Sequence, residues 1–133
     1  MEHPQASGQT KTGKPYDIRE RAFLFACDVI RVAQELHRRG HIAGALSLHL
    51  VESAVNAASN LEEGDDGSSP RDFRAKDRIA LREFKESRLR LRILRATGYL
   101  TEREDSLIQE SVELIKIIAT MIRNSAANEA RRR

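Results

Sequence analysis

The sequence predicts an all-α fold, an up-and-down antiparallel four-helix bundle, and three observations carry that prediction. Apolar residues recur at spacings of three and four through four segments, which places them on one face of a helix each time. The segments are separated by short breaks at Gly40, at Gly64–Pro70 and at Gly98, and short connections favour antiparallel neighbours. Only seven Gly and three Pro occur in 133 residues, against 40% hydrophobic and 32% charged residues, a balance that argues against an all-β chain and against general disorder. At this length one core must account for nearly everything.

Residues 1–15 carry Gly8, Gly13, Pro4 and Pro15 among small polar side chains and have nothing to bury, so they read as a disordered arm. The bundle domain is expected over 16–124. Asp17 followed by Glu20 has the spacing of a capping box and opens the first helix. Ile18, Ala22, Phe25, Val29, Val32 and Leu36 form its inward stripe, and Arg38 and Arg39 suit its end before Gly40. The second helix runs from about Ile42 to Glu63. It carries Leu46, Leu50, Ala54, Ala57 and Leu61 on one side and Leu48, Val51, Val55 and Ala58 on roughly the opposite one, so it needs two partners.

Ser69, Pro70 and Asp72 supply an N-cap, a first-turn proline and a carboxylate at the third helical position, a strong start for the third helix. That helix extends to Thr97, with Phe73, Ala80, Phe84, Leu91 and Leu94 inward and Asp77 and Ser87 on the same face. Thr101 with Glu104 repeats the capping box and begins the fourth helix, whose stripe includes Leu107, Ile108, Ser111, Leu114, Ile115, Ile118, Met121 and Ile122. From about Ser125 the pattern dissolves, and residues 125–133, ending in Arg131-Arg132-Arg133, read as a frayed basic tail.

A single cysteine, Cys27, excludes an internal disulfide and a cysteine-based structural zinc, and it reads as a buried thiol off the main stripe. The polar first residues lack the apolar stretch of a signal peptide and no later run reaches membrane-span length, so a soluble, cytoplasmic protein is expected. His37, His41 and His49 do not have metal-ligand spacing, Gly40 interrupting the first two. The acidic group Glu62, Glu63, Asp65 and Asp66 lacks the spacing of a calcium loop, so no metal or other cofactor is expected. Asn60, Glu63 and Gly64 could tempt an active-site reading. No nucleophile and base accompany them, and Gly64 is better read as the left-handed residue that closes the second helix; the chain is read as not an enzyme.

The third helix stands apart electrostatically. Between Arg71 and Arg95 it holds ten basic residues against four acidic ones, and Arg71, Arg74, Arg78, Arg82, Lys85 and Arg92 share one broad face. Such a rod of charge can neutralise successive phosphates, which makes these six residues the expected nucleic-acid contact, with RNA or DNA as partner. A second reading stays open, in which Asp77, Glu83 and Glu86 pair locally with these cations and the face only keeps the helix solvated. The apolar surplus suggests self-association: Val51 and Val55 on the second helix, and Leu89 and Ile93 on the basic side of the third, are the expected oligomer interface.

Several short stretches, Tyr16-Asp17-Ile18, Asn60-Leu61-Glu62-Glu63-Gly64, Ser69 to Phe73, Ile79-Ala80-Leu81, Glu86 and Gly98-Tyr99-Leu100, carry a resemblance. Over residues 16–123 the chain resembles the bacterial four-helix-bundle family that includes proteins encoded by intervening sequences within 23S ribosomal RNA genes. The resemblance implies a non-catalytic homo-oligomer, a pentameric ring with an open centre. It also implies nucleic-acid association, since a related accessory protein of diversity-generating retroelements binds nucleic acid through a basic surface. Three positions depart from the family pattern: Asp77 stands where an apolar residue is common, Arg82 where Gly is common, and Val51-Glu52 where a basic pair is common.

Overall fold

The computed structural model describes residues 17–66 and 69–132, so the arm expected over 1–15, Tyr16 and Arg133 lie outside the described residues. Four helices follow in chain order: α1 (Ile18–His37), α2 (His41–Asp65), α3 (Pro70–Ala96) and α4 (Asp105–Arg131), the last preceded by a 3-10 turn over Glu102–Glu104. The pairs α1–α2, α2–α3 and α3–α4 pack extensively, and α1–α4 makes a smaller contact than these. Four helices enclosing one core make this a four-helix bundle.

A side chain takes up a free amide at the start of α1, of α3 and of the 3-10 turn before α4, whereas α2 starts at Gly40 without a side-chain cap. The Asp17 carboxylate accepts from Arg19 N at 2.9 Å and the Ser69 hydroxyl accepts from Asp72 N at 3.1 Å. Thr101 and Glu104 form the reciprocal capping box, with Thr101 N donating to Glu104 at 2.9 Å. At the end of α3, Gly98 adopts φ +86, and the amides of Gly98 and Tyr99 close back onto the carbonyls of Arg95 and Leu94, a Schellman termination. Arg39 lies 5.2 Å from the Tyr99 ring centroid and also donates to the Tyr99 carbonyl, which ties the α1–α2 turn to the α3–α4 turn.

The core follows the expected stripes closely. Phe25 and Phe84 meet edge to face at 5.7 Å, surrounded by Val29, Leu50, Leu91, Leu114 and Ile118, all fully buried. Asp77 and Ser87 face inward with them. Ser87 is satisfied, sharing a 2.9 Å hydrogen bond with Ser53 of α2 and donating to the Glu83 carbonyl.

Three expectations need correction. Gly64 does not close α2 in a left-handed conformation: it lies inside the helix, and the positive-φ residues among those described are Gly40 and Gly98. Its role is close approach, because a Cβ there would lie 2.9 Å from Asp77 Oδ1 and 3.1 Å from Lys76 Cβ. The tail expected to fray from residue 125 continues as helix to Arg131, held by Arg74 of α3, which bonds Ser125 and Glu129. Cys27 is half-buried rather than buried. The first of these corrections gives a prediction. Gly64→Ala gains about 1 kcal/mol of helix propensity but forces the buried Asp77 aside, so a net loss of about 1–2 kcal/mol is expected in urea unfolding. The loss should shrink in an Asp77→Ala background, where the nearest contact is gone.

Candidate nucleic-acid interface

α3 can present a charged face because its apolar residues recur every third or fourth position on the other side. Arg71, Arg78, Arg82, Lys85 and Arg92 are all exposed. From Arg71 to Arg92 the row spans about 30 Å at ~1.5 Å per residue. Among the described residues none of these five cations has a carboxylate within ion-pair distance.

The sixth expected residue behaves differently. The Arg74 side chain is only 12% exposed and is committed to Glu129 and Ser125 of α4, so it serves as a helix tether and leaves the open row. The local pairs that would reduce this face to mere solvation do not form either. Asp77 faces the core, and neither Glu83 nor Glu86 has a basic side chain within ion-pair distance among the described residues. Glu83 is half-buried, and that burial, with the neighbouring Glu86, raises its pKa against the attraction of Arg82 and Arg90.

The expected interface residues separate into two regions. Leu89 and Ile93 are exposed within the outer face of α3 and line a shallow depression of about 540 Å³ with Arg92, Arg95, Ala96 and Ile108 of α4. Val55 is exposed on α2, and Val51 is half-buried against the core. Phe23 and Ile30 of α1, at 55% and 39% exposure, were not expected. The signal for them was in the sequence: both lie off the α1 stripe, at a mutual spacing of seven.

The other candidate clusters resolve into structure. Asn60 Nδ2 donates to the Asn56 carbonyl at 2.8 Å, and Glu63 pairs with Lys76 at 2.8 Å. His37 packs over Gly44. Among the described residues no group of three His, Cys, Asp or Glu side chains converges as a metal site would require, and no helix is long and apolar enough to cross a membrane.

The family model described as 23S rRNA-intervening sequence protein matches residues 14–120 of the chain. Among solved structures, a crystal structure of a protein of unknown function from the S23 ribosomal protein family of Bacteroides thetaiotaomicron is similar. It shares 24% identity with a TM-score of 0.74, over 80% of this chain and 98% of that one, a likeness of fold. No curated protein is significantly similar in sequence.

Proposed function

The chain belongs to the 23S rRNA-intervening sequence protein family, and from that premise we propose that it is a non-catalytic, oligomeric protein that associates with nucleic acid through the outer face of α3. The observation that carries the reading is the row of exposed cations Arg71, Arg78, Arg82, Lys85 and Arg92, without ion pairs among the described residues. A duplex presents one charge per about 1.7 Å of axis, so a row of about 30 Å meets several phosphates at once. Four Phe and two Tyr in the whole chain leave little for base stacking, which favours backbone contact over single-strand base recognition. The family resemblance makes a pentameric ring the expected assembly, in the cytoplasm.

Mobility-shift titrations with duplex and single-stranded RNA and DNA between about 50 and 200 mM salt test this reading. Binding should weaken linearly in log–log form, with a slope near about −0.9 per phosphate neutralised on a duplex. Replacing Arg71, Arg78, Arg82 and Lys85 together by Gln should lower affinity at least about tenfold at the low-salt end and flatten the slope by about one for each phosphate no longer neutralised. Unchanged affinity and slope would reject it. The second reading, a protein-interaction scaffold, draws on the presence of Leu89 and Ile93 in the same face. It predicts that neither affinity nor salt slope responds.

A further inference from the structure

We propose that the hollow where α3 begins and α4 ends takes one unpaired nucleobase, adenine in preference to the others, at the end of a nucleic acid held by the cations of α3. This deepens the nucleic-acid reading above and rests on it. The hollow measures about 350 Å³ and lies between the two helices. Its apolar lining is Pro70 and the half-buried Phe73 of α3 with the half-buried Met121 of α4. Asn124, Asn128 and Arg132 follow one another at intervals of four residues, so they stand in one line along the α4 side of it. α4 is held in place this far along by Arg74, which donates to Ser125 at 3.2 Å and pairs with Glu129.

Three features fit a nucleobase. Phe73 offers part of an aromatic ring, and stacking on such a ring serves any base. The Asn124 and Asn128 amides each carry a donor beside an acceptor, the match for the N6 donor and N7 acceptor of adenine. Neither amide has a hydrogen-bond partner among the described residues, whereas Ser125 and Glu129 in the same hollow are taken up by Arg74. The third feature is position. Arg71 and Arg78 lie three residues before and four after Arg74, so they share the flank of α3 that faces α4. The row of cations therefore ends beside the hollow, with Arg132 on the α4 side of it. A duplex laid along that row presents its backbone, and a nucleotide beyond its last pair is the part free to turn a base edge toward the amides. One ring suits one base, in keeping with a chain too poor in aromatic residues to stack a long single strand.

The test uses the full chain and fluorescence anisotropy with labelled short duplexes, RNA and DNA, at one salt concentration. Each duplex is either blunt or carries one unpaired adenine or one unpaired pyrimidine at its 3′ or 5′ end. The unpaired adenine should tighten binding at least about fivefold over the blunt duplex, and by more than a pyrimidine does. Asn124→Ala with Asn128→Ala should remove the preference for adenine, and Phe73→Leu should reduce the gain from every base. Both variants should hold the blunt duplex as tightly as the wild type, with circular dichroism checking that they fold. Equal affinity for blunt and tailed duplexes would overturn this inference and leave the basic row standing. A gain that survived both variants would overturn it too, since the base would then sit elsewhere. Failure to bind any of the duplexes would overturn both readings.

Discussion

Asp77→Asn is expected to stabilise the protein by about 2 kcal/mol more at pH 7 than at pH 4, read from urea unfolding of the two chains side by side. Asp77 is fully buried on α3 beneath Gly64 of α2, and neither of its carboxylate oxygens accepts a hydrogen bond among the described residues. Burial, with the nearby Asp65, pushes its pKa up from 3.8 to about 6. The folded state therefore holds its proton more tightly than the unfolded one. The associated stability is fully present below about pH 4, falls as pH rises toward 6, and is lost above that. An Asn has no such titration, so the difference between the chains grows over that window. Comparing the change with pH cancels the constant cost of burying the amide. A difference that stayed flat from pH 4 to 7 would show that Asp77 is not buried as an acid.

How much of this is legible in the sequence varies with the range of the forces involved. The caps at Asp17, Ser69 and Thr101 and the glycine stop at Gly98 are local, set by residues three or four apart, and the structure holds them where the sequence places them. The inward placing of Asp77 and Ser87 is also legible, from periodicity alone. Gly64 misleads because a glycine followed by Asp-Asp-Gly looks locally like a helix stop, and only the approach of α3 reveals why a side chain is excluded. Arg74 fits the basic row by spacing, yet a partner 55 residues away takes it out. The same contact explains why α4 outlasts its hydrophobic pattern. The open basic row survives this sorting because none of its other members finds such a partner among the described residues.

Arg21→Met should lower the unfolding free energy by about 3 kcal/mol. Nothing in the sequence marks Arg21, which follows Ile18 by three positions and looks like one more cation on a polar side. In the structure its side chain is 5% exposed. Its Nε donates to Glu110 Oε2 at 3.1 Å and a terminal nitrogen to Oε1 at 2.6 Å, with Glu113 adding a longer contact at 3.3 Å. Those hydrogen bonds with Glu110 raise the guanidinium pKa further, so the group stays charged across the accessible pH range. The fork joins α1 to α4, which meet over less surface than the pairs of sequential helices, so little apolar surface is available there to compensate. Removing the cation takes the bidentate partner from a largely buried carboxylate, which is costlier than losing the pair altogether. Arg21→Met combined with Glu110→Leu should accordingly recover most of the loss, since two apolar side chains can pack where one charge could not be left. A double variant no more stable than Arg21→Met alone would mean that the fork acts through side-chain volume and not through charge.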